Sequence, residues 1–230
     1  MNIKRAFSSK IYLFLGSMKK RGILNTLFIV LSYMVDYASD VINGTDTLSF
    51  VNVEDMGVEE ALQKHAKMYQ PTFGYPLRRV LTTLEIPAGK VFLDLGCGKG
   101  KALLVASEFN FKEVRGVEIS ALLCEIAKRN CSIYCNEGKV QAIFSIIHSD
   151  MAKYRIKDDE DVFFLFNPFD DFILKHVLYN IVSSLQKQKR KIWIIYRNAI
   201  HRETIDQILR PSSITELMFW GFDFVVFEKE

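Results

Sequence analysis

The chain has 230 residues, 49% hydrophobic and 25% charged, which suits one well-buried α/β domain with a short extension. A formal net charge of +3 removes any compositional argument for a nucleic-acid binder and leaves only a weak affinity for anionic surfaces. Cys97, Cys124, Cys131 and Cys135 form no C-x-x-C pair and have no His close by in sequence, so no metal site is expected and they read as buried free thiols of a reducing compartment.

Lys4, Arg5 and Lys10 precede one apolar stretch, and Lys19-Lys20-Arg21 precede a second, Gly22 to Val35, closed by Asp36. The second run contains Asn25, Thr26 and Ser32 and is too short and too polar for a membrane span of ~20 residues. No small-residue cleavage site follows. Residues 1–42 therefore read as two helices with basic ends, packed on the domain or lying on a membrane surface. Asn43-Gly44 marks a turn, and residues 44–60 read as a loop. Glu59 to Tyr69 reads as a helix stopped by Pro71, and Tyr75 to Leu84 as another with Pro76 early in it.

From Lys90 onward strands and helices alternate. Strands are expected at Val91–Leu95, Glu113–Glu118, Ala142–His148, Asp161–Phe166 and Lys191–Tyr196. Helices are expected at Lys101–Phe109, Ala121–Tyr134, Asp171–Gln186 and His201–Leu209. Ile214–Phe219 and Phe222–Phe227 flank Trp220-Gly221 as a terminal hairpin. The expectation is a Rossmann-like, mostly parallel seven-stranded sheet with a C-terminal antiparallel hairpin: residues 1–60 form a helical extension and residues 61–230 the domain. A nucleotide-like ligand then belongs beyond the carboxyl ends of the strands, where the strand order reverses.

The strongest local signal is Asp94-Leu95-Gly96-Cys97-Gly98-Lys99-Gly100, between a strand and a helix. Gly96, Gly98 and Gly100 allow a sharp turn and a close ligand approach. The spacing G-x-G-x-G departs from the G-x-G-x-x-G of dinucleotide enzymes, which counts against a nicotinamide dehydrogenase and suits a zwitterionic ligand without phosphate. Glu118 lies about 20 residues further on, where an acid can bind ribose hydroxyls. Asp150 is a candidate acceptor for an adenine amino group, or a helix cap. His148 reads as an orienting or structural histidine. Tyr69 and Phe169 are candidate aromatic walls or core residues. Tyr196-Arg197-Asn198 and His201 read first as a polar loop with a helix cap, and Lys187 to Lys191 as the solvated end of a helix.

The set DLGCGKG, GVEIS, SDM and NPF, in that order, is similar to the class I S-adenosylmethionine-dependent methyltransferases, over most of the chain from about residue 69 to its end. Tyr69-Gln70-Pro71-Thr72, with DTLSF at residues 46–50, resembles bacterial methyltransferase-domain proteins distantly similar to DOT1-like and other lysine methyltransferases. The resemblance implies S-adenosylmethionine as cofactor. It assigns Asp94 and the glycines to the donor's amino-acid part, Glu118 to its ribose and Asp150 to its adenine, with Tyr69 beside them. It places Asn167, Pro168 and Phe169 where amino-group methyltransferases carry (Asp/Asn)-Pro-Pro-(Tyr/Phe), with one proline missing. The expected activity is methyl transfer to a nitrogen, perhaps of a protein lysine. An oxygen or small-molecule methyltransferase and a donor-binding protein without turnover stand as rivals. The acceptor is a protein or a small molecule, no metal is required, and the chain is expected in the cytoplasm, with membrane contact through its N-terminal helices.

Overall fold

The structure, a computed structural model, describes residues 22–58, 69–136, 142–167 and 169–230. A long helix, α1 (Ile23–Asn43), leads through a 3-10 turn (Val53–Met56) to α2 (Gly74–Leu84). Then follow β1 (Val91–Leu95), α3 (Lys101–Ala106), β2 (Glu113–Glu118), α4 (Ala121–Asn136), β3 (Phe144–His148) and β4 (Glu160–Leu165). The chain closes with α5 (Asp171–Lys187), β5 (Ile192–Arg197), α6 (Arg202–Leu209) and the hairpin β6 (Ser213–Phe219) and β7 (Phe222–Lys229).

The seven strands form one sheet in the order β3-β2-β1-β4-β5-β7-β6. The first five are parallel, and β7 runs antiparallel between β5 and β6. The order reverses between β1 and β4, so the connections that leave these neighbours run in opposite directions, the topological position at which doubly wound folds bind ligands.

β1, β4 and β5 are buried along their whole length, and apart from Asp94, Glu160, Asp161 and Arg197 they are apolar runs, as a doubly covered sheet requires. Alternate side chains feed two layers. Leu93, Leu95, Phe163, Leu165 and Ile194 pack against α5 and α6. Phe92, Phe164, Trp193 and Ile195 pack on the other face with Leu77, Val80 and Leu103.

Most expected elements stand within a few residues of their predicted ends. α3 stops at Ala106 rather than Phe109 because the Ser107 hydroxyl takes the Leu104 carbonyl at 2.7 Å, competing with the helix ladder. The turn at Asn43-Gly44 is present, with Gly44 left-handed at φ 65°. Most of the helix expected at Glu59–Tyr69 lies outside the described residues, as does the N-terminal one of the two helices expected in residues 1–42. Tyr69 itself is not helical. Its N–H donates to the Val51 carbonyl at 3.0 Å in an isolated antiparallel bridge, so the expected loop also contains pairing.

Cys97, Cys124 and Cys131 are buried free thiols, and Cys135 is half-buried. Burial pushes Cys124 and Cys131 up to about 12, so they are protonated at neutral pH.

Phe163 fills the centre of one layer with no exposed surface. Phe163→Ala is expected to cost about 3–5 kcal/mol, read as a lower urea midpoint at unchanged m-value. Tyr179→Ala, on the exposed face of α5, is expected to stay within about 0.5 kcal/mol of the parent.

Candidate active site

After β1 the chain must reverse within a few residues to enter α3. Gly96, Gly98 and Gly100 take φ values of 90°, 52° and 86°, a region that side chains disfavour. The turn is tied to β2: the N–H groups of Gly96 and Cys97 donate to the Val117 carbonyl at 2.9 and 3.0 Å. Gly98 meets a second demand. The Tyr69 ring lies directly against it, and an added Cβ would collide with that ring.

Glu118, at the tip of β2, reaches into the turn. Its Oε2 accepts the Gly98 N–H and its Oε1 the Ser120 N–H, both at 2.9 Å. Asp94, on the neighbouring strand, is buried with it, at 4% and 5% exposure. Burial raises the Asp94 carboxyl well above the usual carboxylate range, and the Glu118 charge raises it further. Burial also raises Glu118, against the lowering pull of its Ser120 and Gly98 donors. No described residue donates a hydrogen bond to Asp94. A buried carboxyl without donors is unfavourable until a cationic or donor-bearing ligand meets it. A ligand that carries both an ammonium group and ribose hydroxyls fits this pair.

Residues 45–49 form a strap over the same turn. Lys99, almost fully buried, pairs with Asp46 at 2.8 Å and hydrogen-bonds Ser49. Burial pushes the Asp46 carboxyl up, but its bonds from Lys99 and Ser49 outweigh that and hold it below the usual range. Asn130 on α4 clamps strap and turn together: it donates to the carbonyls of Asp46 and Lys99 at 2.9 Å and accepts the Asp46 N–H at 3.1 Å. The Tyr69 hydroxyl donates to the Thr47 carbonyl at 2.6 Å. Two acids of α1 complete the lacing. Asp40 accepts from the Thr47 N–H at 2.7 Å and from the hydroxyls of Thr45 and Thr47. Asp36 pairs with Lys101 at 3.0 Å and accepts the Gly74 N–H at 2.9 Å. In the sequence Lys99 stands out only as part of the glycine motif and Asp36 only as the end of an apolar run, while Lys101, Asn130 and Asp40 carry no assigned role. The available signal was the polar stripe Thr26, Ser32, Asp36, Asp40, Asn43 at helical spacing within an apolar helix.

Asp150 lies beyond β3 and half-buried. Its Oδ1 accepts the Ala152 N–H at 2.9 Å, capping the turn that follows. His148 is exposed, with Nε2 2.9 Å from the Ile119 carbonyl.

At the tip of β4, Asn167 is left-handed at φ 44°. Its amide nitrogen donates to the Asn198 carbonyl at 2.9 Å, and its Oδ1 is buried without a hydrogen-bond partner among the described residues. Pro168 lies outside the described residues. Phe169 is buried in the core with Ile173. Tyr196 is likewise core, while Arg197 lies 3.8 Å over the Phe166 ring and donates to Thr72 at 3.2 Å. His201 stands at the N-terminus of α6, as a cap position. The switch point thus brings Asp94, the glycines, Glu118 and Tyr69 together, with Asn167 on the next strand tip.

The family model described as histone methylation protein DOT1 matches residues 64–207, more than half of the chain. The chain belongs to the DOT1 family. It is an S-adenosylmethionine-dependent methyltransferase. No curated protein matches it. Among solved structures it is similar to the Bacillus subtilis tRNA methyltransferase TrmK, with 18% identity over 69% of this chain and 67% of that one and a TM-score of 0.52. It is also similar to an RNA methyltransferase from Salinibacter ruber solved with S-adenosylhomocysteine, with 18% identity over 69% and 92% of the two chains and a TM-score of 0.49. A TehB-like methyltransferase from Corynebacterium glutamicum shares 17% identity over 70% and 90%, with a TM-score of 0.47. At such identities these likenesses concern the fold.

The raised Asp94 carboxyl has a consequence for stability. A group whose folded pKa exceeds its unfolded one favours folding below the unfolded value and loses that contribution as pH rises through the folded value. Asp94→Asn is therefore expected to melt higher than the parent at pH 8, by a margin that shrinks toward pH 5, and to lose most of its affinity for S-adenosylhomocysteine. Thermal melts at the two pH values with and without ligand check both halves.

Proposed function

We propose that this methyltransferase acts on a nitrogen nucleophile, with a protein lysine as the favoured acceptor. The observation that carries the reading is the buried, unpartnered Oδ1 of Asn167. Its amide is oriented by the bond to Asn198, so the oxygen is left as an acceptor at the tip of β4, the strand that neighbours β1 in the sheet. An acceptor oxygen at such a place matches an N–H group and stabilises the positive charge that grows on nitrogen during attack. An unsatisfied buried acceptor in a strained backbone is costly, and such cost concentrates at functional positions.

S-adenosylmethionine supplies a methyl group already activated on a sulfonium. The chain's own tasks are therefore alignment and exclusion of water. In this reading Asp94 and the glycine turn hold the donor's amino-acid part, Glu118 its ribose and Asp150 its adenine. Tyr69, pinned by Thr47 and pressed on Gly98, fixes the turn's shape from above. Asn167 accepts an N–H of the acceptor nitrogen and so turns the nitrogen's lone pair toward the methyl group. Phe169 keeps the loop after β4 in place through the core. Membership of a family described by histone methylation supports a protein substrate.

Asn167→Ala is expected to lower kcat about a hundredfold while leaving S-adenosylhomocysteine affinity within about twofold. Unchanged kcat would remove Asn167 from the mechanism. With radiolabelled donor and a cell lysate, the label is expected in the protein fraction and stable to mild alkali, as a methylamine is and a methyl ester is not. Label confined to nucleic acid or small molecules would overturn the lysine assignment.

A further inference from the structure

Helix α1 is built the opposite way round from an ordinary surface helix. Its buried stripe is polar: Thr26, Ser32, Asp36, Asp40 and Asn43. Its outward arc is apolar, with Leu24, Leu27, Leu31, Met34, Val41 and Ile42 all between 43% and 78% exposed. These six fall on one side of the helix, and the arc carries no charge, because the helix's only ionisable acids, Asp36 and Asp40, are turned inward and matched by Lys101 and by threonine hydroxyls. The arrangement is firm. Phe28 stacks on Trp220 of the terminal hairpin at 5.2 Å, and Trp220 on Tyr75 at 3.9 Å. An uncharged apolar strip of this length on a monomer's surface marks a place where something binds.

The charge distribution says what. Residues 1–21 hold six Lys and Arg and no Asp or Glu, with Lys19-Lys20-Arg21 directly preceding the helix. The remaining residues hold 24 basic and 27 acidic side chains, so the chain's net positive charge lies entirely in this end. An apolar helical face beside a basic cluster is complementary to an anionic lipid surface: the face inserts at the acyl boundary, and the cluster meets the headgroups. Among the described residues no helix is long and apolar enough to cross a membrane. We infer that α1 docks this protein onto anionic membranes, lying in the plane of the interface with Leu24, Leu31, Met34 and Ile42 toward the lipid, the basic residues that precede it in sequence supplying the attraction to the headgroups. Because Asp36 and Asp40 of the same helix are bonded to α3, α2 and the strap, docking holds the donor site at a set height above the lipid. The inference stands apart from the choice of methyl acceptor.

The full chain is to be sedimented with vesicles of phosphatidylcholine alone and of phosphatidylcholine doped with phosphatidylglycerol. Binding is expected to be at least about tenfold tighter to the doped vesicles and to weaken with added salt. Leu31→Glu/Met34→Glu is expected to reduce it at least about tenfold. Lys19→Gln/Lys20→Gln/Arg21→Gln is expected to abolish the preference for the anionic lipid. All variants should keep the parent's thermal shift with S-adenosylhomocysteine, and Leu24→Glu, 70% exposed, serves if the double variant does not fold. Failure of the parent to sediment with either vesicle would overturn the inference. So would a lipid-free dimer that Leu31→Glu/Met34→Glu dissociates, which would assign the face to a second copy of the chain.

Discussion

Two carboxyl groups at adjacent strand tips, Asp94 and Glu118, are buried against each other in a protein that could have placed apolar residues there. Keeping them ionisable under cover costs several kcal/mol unless donors compensate. Glu118 is compensated from within by the N–H groups of Gly98 and Ser120. Asp94 is not, and its raised carboxyl records the deficit. The glycine turn holds Glu118 through the Gly98 N–H, and the strap and α1 in turn brace that turn. Such a deficit is relieved when a ligand arrives, so the site is less stable empty than filled, a common relation between stability and binding.

The strap changes how the N-terminal part of the chain is understood. Residues 45–49, Asn130 and Lys99 form a closed hydrogen-bonded unit on top of the turn, and α1 is anchored to it by two acids. The helix is therefore part of the glycine turn's support, although the DOT1 family match begins only at residue 64. It performs two tasks with two faces: the polar one stiffens the turn, and the apolar one is left outward. A helix whose polar side is satisfied inside the protein must find an apolar partner for its other side.

The sheet was legible because its central strands are short, mostly apolar runs that alternate with amphipathic helices, the pattern of a parallel sheet covered on both faces. The positions of Asp94, Glu118 and Asp150 at or just beyond strand tips were legible because each follows or ends an expected strand. Less was legible near the N-terminus. In α1 the apolar residues outnumber the polar ones, and periodicity rules assume that the apolar side faces inward, whereas here the buried side is the polar stripe with Asp36 and Asp40. Tyr69 follows a segment with helical composition, yet its backbone pairs with Val51 because the ring must reach across to Gly98. Lys99 sits within the motif itself, where composition alone gives no sign that Asp46, more than fifty residues earlier, will hold it.

The most direct test of the account is a crystal structure of the full chain with S-adenosylhomocysteine. The account predicts the ligand's ribose hydroxyls on Glu118, its amino group near Asp94 and the Gly96–Gly100 turn, and Tyr69 still against Gly98. Ligand density elsewhere on the molecule, or Asp94 and Glu118 enclosed by protein atoms with the ligand bound, would contradict it.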